Sequence, residues 1–233
     1  AFPYEDLITT NRQRTREEME YELLDTGVFN EDRYFDVFVE YAKAGPEDIL
    51  VKITATNRGP DAAELHLLPT LWFRNDWAAW ISESNRSPEK PNLRKVPAPA
   101  GTSAVAATHP LLGKCTLSCE GDVPLLFTDN TTNNDRLFPG QPNASRYVKD
   151  GINNCVVQGD QGAVNPDKQG TKAAAHYRLM VGPGQSATVR LRLTGQATAP
   201  SSFGQEFDKT LAVRREEADE FYRSVTPPSV SPD

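Results

Sequence analysis

The chain has 233 residues, 38% of them hydrophobic and 24% charged, with a formal net charge of −7. That acidity excludes a nucleic-acid backbone or an anionic membrane surface as partner, and no apolar run approaches the roughly 20 residues of a membrane-spanning helix. The length suffices for a buried core, and the composition is that of a globular chain rather than a disordered one.

The opening, AFPYEDL, carries neither an initiator Met nor a basic-then-apolar leader. It reads as a start made by processing or excision from something longer. Pro3 followed by Glu5 and Asp6 predicts a helix, because proline suits the first turn and carboxylates suit its positive end. RQRTREEMEYE then leads into an extended segment around Tyr21 to Asp25, and Gly27 marks a turn.

The strongest β signal follows. Phe35, Val37, Val39 and Tyr41 alternate with Tyr34, Asp36, Phe38 and Glu40; Leu50 to Thr56 alternates in the same way. AGPED between the two runs is turn chemistry, so an antiparallel hairpin is expected. AELHLLPTLWF reads as a strand broken at Pro69, since proline cannot donate to a ladder. Beyond Trp80, SESNRSPEKPNLRKVPAPAGTS reads as a long loop. Strands resume at AVAAT, KCTLSCEG and VPLLFTD, and a second polar loop, NTTNNDRLFPGQPNASRYVKDG, precedes INNCVVQG. KAAAHYRLMV and SATVRLRLT form a last strand pair with GPGQ as the hairpin turn. Phe203, Phe207, Leu211, Ala218 and Phe221 fall at near-helical spacing, and TPPSVSPD ends the chain as a Pro/Ser linker.

The candidate chemistry is sparse. Cys115, Cys119 and Cys155 are odd in number; on one strand Cys115 and Cys119 would stand about 13 Å apart, too far for a bridge. Free thiols in a reducing, cytoplasmic compartment are expected, and the N-x-S/T matches at Asn85, Asn130 and Asn143 read as chance. His66, His109 and His176 lack metal-ligand spacing, there is no CxxC pair, and no nucleophile elbow or phosphate loop occurs. No cofactor, metal site or catalytic residue is assigned. DTGVFNEDRYFD gathers Asp25, Glu31, Asp32 and Asp36, which could be drawn as a glycosidase carboxylate pair or as a solvated acidic face.

Two stretches carry more. In LWFRNDWAAW the indoles of Trp72, Trp77 and Trp80 could stack on sugar rings while Arg74 and Asn75 hydrogen-bond a polyol, or could form a core corner or domain interface. In FTDNTTNNDRLFPG, Asn130, Asn133, Asn134 and Arg136 suit either Asx turns or a ligand-facing rim.

The stretches YELLDTGVFNEDRYFDVFVEYAKAGPEDILVKITATNRGP, LHLLPTLWFRNDW, FTDNTTNNDRLF, YVKDGINNCVVQG and VNPDKQGTKAAAHYRL resemble the N-terminal β-sandwich region of bacterial proteins similar to glycoside hydrolase family 63. That family includes the mannosyl-oligosaccharide glucosidases. The resemblance runs from about Ala1 to Tyr222. It implies a mainly β fold, a large antiparallel β-sandwich of the supersandwich type over 1–200, with short helices at the N- and C-terminal ends. A helical segment over 201–225 and a linker over 226–233 would lead to a catalytic (α/α)₆ barrel outside this chain. It also implies inverting α-glucoside hydrolysis by two barrel carboxylates, with this chain non-catalytic. Trp72, Arg74, Asn75, Trp77 and Trp80, and then Asn130, Asn133, Asn134 and Arg136, would face that barrel or an oligosaccharide. On this reading Trp77 and Trp80 are expected to be unusually exposed. The alternatives are a stand-alone carbohydrate-binding or scaffolding sandwich, and a small hydrolase using the Asp25–Asp36 cluster.

Overall fold

The computed structural model describes residues 2–77, 89–195, 203–227 and 229–230. The protein is mainly β, a β-sandwich built on a large antiparallel sheet. Its helices are α1 (Tyr4–Gln13), α2 (Asn134–Leu137), α3 (Gly151–Gln158) and α4 (Gln205–Val225). The strands are β1 (Phe35–Gly45), β2 (Asp48–Asn57), β3 (Ala63–Leu67), β4 (Thr70–Trp72), β5 (Asn92–Val96) and β6 (Thr102–His109). They continue with β7 (Gly113–Glu120), β8 (Leu125–Thr128), β9 (Gln169–Gly170), β10 (Lys172–Ala175), β11 (Tyr177–Val181) and β12 (Ser186–Thr194).

A seven-stranded sheet has the order β1-β2-β12-β7-β6-β5-β9, a three-stranded sheet the order β4-β10-β8, and β11 pairs with β3. The expected break at Pro69 separates β3 from β4, and the AGPED turn joins β1 to β2 through Pro46 and Glu47. Three readings need correction. KAAAHYRLMV is interrupted at His176 into β10 and β11, and GPGQ does not join a hairpin, because β11 and β12 belong to different sheets. Turn chemistry is local, whereas the choice of partner strand is made by distant residues. NLRKV, read as loop, is β5, paired with β6 from Asn92↔Thr108 to Val96↔Ala104. Near the start, Leu23–Thr26 is a 3₁₀ turn closed by a capping box, with Gly27 left-handed at φ 70°, rather than an extended segment.

The chain divides into two compact units. The first comprises residues up to Phe38 with Thr54–Leu65 and Leu179–Thr188. In it Asn11 and Tyr21 exchange side-chain and backbone hydrogen bonds at 2.8 Å each, tying α1 to the segment that follows. Asn57 is fully buried and spans the turn after β2 to Val181.

The second unit holds the rest. Its three-stranded sheet is centred on Ala173, Ala174 and Ala175, all essentially solvent-free. Alanines leave room for α3 to approach, and Leu126, Ala174, Ile152, Cys155 and Val164 form one cluster there. This interior helix was not expected from the sequence. α4 packs Phe207 and Leu211 on Ala42 and Leu50, with Phe203 against them. Its later turns expose Phe221 and Tyr222. At the edge of the β12 ladder, Arg192 makes a two-point ion pair with Asp48, at 2.8 and 2.5 Å.

Cys119 has no exposed surface, and burial pushes its thiol from the ordinary 9.0 up to about 12. Tyr177 donates its hydroxyl to the Glu120 carbonyl at 2.8 Å, and burial first, then Cys119 and Glu120, pushes its phenol upward as well. Both folded values lie above the unfolded ones. Their contribution to stability is therefore complete below about pH 9 and is lost as pH rises through the folded values. Urea midpoints are expected to stay flat up to about pH 8.5 and to fall above pH 9, with Cys119→Ala flattening the onset.

Candidate functional site

The two stretches singled out in the sequence meet in the second unit. β4 ends at Trp72, opposite Lys172 of β10, and β8 ends at Thr128, on the other side of the same lysine. The chain leaving β4 and the chain leaving β8 therefore start out one strand apart. They are then sewn together: Asn75 Nδ2 donates to the Asn130 carbonyl at 3.3 Å, and Asn130 Nδ2 donates to the Phe73 carbonyl at 2.9 Å. The Asn130 amide also donates to Thr171 Oγ1 at 2.8 Å.

Around this seam Trp72 is 54% exposed, Arg74 is exposed, and Trp77 is half-buried. The outward indole is thus Trp72 rather than Trp77, because its strand pairing turns it away from the sheet's interior. Trp80, like Asn85, lies outside the described residues.

The Asn-rich stretch spends most of its amides internally. Asn133 caps α2 by accepting from the Arg136 amide, and its Nδ2 donates to both Asp150 carboxylate oxygens at 3.2 and 3.1 Å. Arg136 adds a 3.3 Å ion pair to Asp150 from an exposed position. The Asn134 side chain donates to the Pro142 carbonyl, at 3.5 Å. Asx-type satisfaction therefore accounts for Asn133, and the seam accounts for Asn130.

Sequence reasoning missed Lys149, Asp150 and Lys172, which complete this rim. Lys172 donates to the Lys149 carbonyl at 3.0 Å. Burial, and then the Lys149 ammonium, push the Lys172 amine below the ordinary lysine value, while Asp150 opposes them. The only available signal was the KDG turn before α3. Four buried oxygens here, Asn75 Oδ1, Asp76 Oδ1, Thr128 Oγ1 and Thr131 Oγ1, have no hydrogen-bond partner among the described residues. All four sit on the two stretches, and such atoms mark where a ligand or ordered water completes the bonding.

A second feature of this unit is an apolar groove of about 410 Å³. Val39, Tyr41, Val51, Leu117 and Leu191 of the large sheet floor it, and the Leu67–Leu71 segment walls it. None of its lining residues is charged. Val39 and Tyr41 are 46% and 72% exposed, an unusual state for apolar side chains in one patch.

The acidic cluster is differently employed. Asp25 accepts the Glu22 amide inside the capping box, Glu31 pairs with Arg33 at 2.9 Å, and Asp36 pairs with Arg58 at 2.5 Å. The three cysteines are free. Among the described residues no group of three or more His, Cys, Asp or Glu side chains is placed to hold a metal ion, and no helix is long and apolar enough to cross a membrane.

No family model matches the chain. It is 34% identical over 270 residues to the uncharacterized protein YMR196W of Saccharomyces cerevisiae, a match covering 99% of this chain and 24% of the yeast protein. The chain thus spans about a quarter of the length of the curated relative it matches.

Proposed function

We propose that the chain is the non-catalytic β-sandwich portion of a larger glycoside-hydrolase-like protein, α-glucosidase-like in its chemistry and cytoplasmic. In it the sandwich supports a catalytic (α/α)₆ barrel and lines one wall of its sugar cleft. The observation that carries this reading is the uncharged groove beside exposed Val39 and Tyr41. A sandwich face left apolar and open is a face made to be covered, and a barrel carried on the same polypeptide would cover it. The exposed Trp72 with Arg74, Lys172 and Asp150 would then stand at the cleft's edge, an aromatic platform ringed by hydrogen-bonding groups. The match to one quarter of a much longer protein is compatible with this arrangement. In the full enzyme one barrel carboxylic acid would protonate the glycosidic oxygen while a second carboxylate activates water on the opposite face.

The pairing of Glu31 with Arg33 and of Asp36 with Arg58 disfavours the small-hydrolase alternative, since these carboxylate oxygens are already spent on guanidinium groups rather than turned toward a bound sugar. The test is hydrolysis of an aryl α-glucoside. The 233-residue chain alone is expected to show no turnover, and the natural parent polypeptide, its extent fixed by intact mass, is expected to be active. Turnover by the isolated chain, or a parent lacking paired carboxylates outside it, would overturn the reading.

A further inference from the structure

A recess of about 330 Å³ adjoins the seam, sharing Thr171 with it. Residues from four chain segments line it, among them Lys90, Asn92, Asp129, Tyr147, Gln169 and Thr171. Its volume sits at the small end of ligand pockets.

The lining is pre-set. Asp129 is held by Lys90 at 2.9 Å and by the Thr171 hydroxyl at 3.3 Å, and its backbone amide donates to the Tyr147 carbonyl at 2.8 Å. Asn165 is locked by bonds to the Gln169 carbonyl and the Asp167 amide. By contrast, the side-chain amides of Asn92 and Gln169 and the Tyr147 hydroxyl have no hydrogen-bond partner among the described residues, and all three residues line the recess. Amides and hydroxyls that both donate and accept match a ligand whose groups do the same.

Charge narrows the class further. Lys90 and Asp129 are the recess's sole charged pair among the lining residues, and they neutralise each other. An anion would have to displace Asp129 from Lys90, and a cation would have to displace Lys90. An apolar ligand would meet almost no aliphatic surface, since Pro91 is the one aliphatic side chain in the lining. Tyr147, whose ring has the Arg146 guanidinium carbon 5.4 Å from its centroid, is the one aromatic residue in the lining. Gly170 lets its strand lie close against the Thr128–Asp129 backbone, since a Cβ there would stand 2.3 Å from the Thr128 carbonyl oxygen.

We propose that this recess binds a neutral polyhydroxylated ligand of hexose size. The site goes beyond the proposed role in a larger enzyme and does not rest on it. Amide NMR titration of the whole 233-residue chain with D-glucose tests it, with inorganic phosphate as the anionic comparison. Glucose is expected to give saturable shifts at Asn92, Gln169 and Thr171, with a midpoint on the order of 1 mM, and phosphate none. Tyr147→Phe, which removes only the hydroxyl, and Gln169→Ala should each weaken binding at least about fivefold while leaving amides remote from the recess unmoved. Asp129→Asn, which frees the Lys90 ammonium, should weaken glucose and admit phosphate.

Shifts that stay linear to about 100 mM glucose, or that centre on Trp72 instead, overturn the proposal. So does phosphate binding to the unaltered chain, or full affinity in both Tyr147→Phe and Gln169→Ala. Turnover of an aryl glucoside by the isolated chain would overturn the proposed function and leave this site standing; absence of glucose binding would do the reverse.

Discussion

Gly151→Ala and Gly170→Ala each unfold the protein at a markedly lower temperature than the parent chain. At Gly151, the first residue of α3, an added Cβ would lie 2.2 Å from the Ala163 carbonyl oxygen and 3.3 Å from Thr128 Cγ2. At Gly170, in β9, it would lie 2.3 Å from the Thr128 carbonyl oxygen and 2.8 Å from its carbon. Both obstacles are backbone, which cannot swing aside as a side-chain tip can. Overpacking of this kind costs about 3 kcal/mol, the upper end of the common range, or roughly 6–12 °C in a chain of this size. Gly101→Ala separates contact from conformation. Gly101 has φ +73° with nothing within 4 Å, so it should lose only the left-handed strain of about 1 kcal/mol. Calorimetric Tm values for the three variants decide it, and equal losses at all three would sink the contact argument.

Asn57→Asp removes comparable stability without changing side-chain size. Asn57 Nδ2 donates to the Asp61 and Val181 carbonyls at 2.8 and 2.9 Å, and its Oδ1 accepts the Gly59 amide at 2.9 Å. A carboxylate there points an anion at two carbonyl oxygens in a site that is 2% exposed. Two lost bonds, each leaving a buried acceptor unpaired, amount to about 3 kcal/mol or more at neutral pH. Urea unfolding should show a lower midpoint with unchanged slope. A deficit under about 1 kcal/mol would mean that the turn rearranges to satisfy the carbonyls.

These positions show what the sequence made legible. The alternation of Phe35 to Tyr41 and Leu50 to Thr56 announced β1 and β2, Pro69 announced the break between β3 and β4, and Phe203, Phe207 and Leu211 announced the packed side of α4. Each of these signals is complete within a dozen residues. INNCVVQ gave none, because a short apolar run does not distinguish a buried helix from a strand; only the alanines of β10, from elsewhere in the chain, make room for it. The same limit governs the site. Sequence pointed to the Trp72 and Asn130 stretches separately, but the Asn75–Asn130 seam needs β10 between them. The recess draws Lys90, Asp129, Tyr147 and Gln169 from segments up to about 80 residues apart, so no local motif could announce it.

The position of β12 between β2 and β7 sets an order on how this molecule is made. As the chain emerges during synthesis, the β1–β2 hairpin and the β5–β6–β7 meander can each form early from near neighbours. They cannot join, because the strand between them is completed only at Thr194. Until then two partly built sheets wait with open hydrogen-bonding edges, and closing the sheet requires a contact across well over a hundred residues. Such pairing is slow and leaves the intermediate exposed to pairing with other chains. Truncation before Ser186 should therefore yield one chain carrying two unjoined, adhesive part-sheets rather than a shorter sandwich.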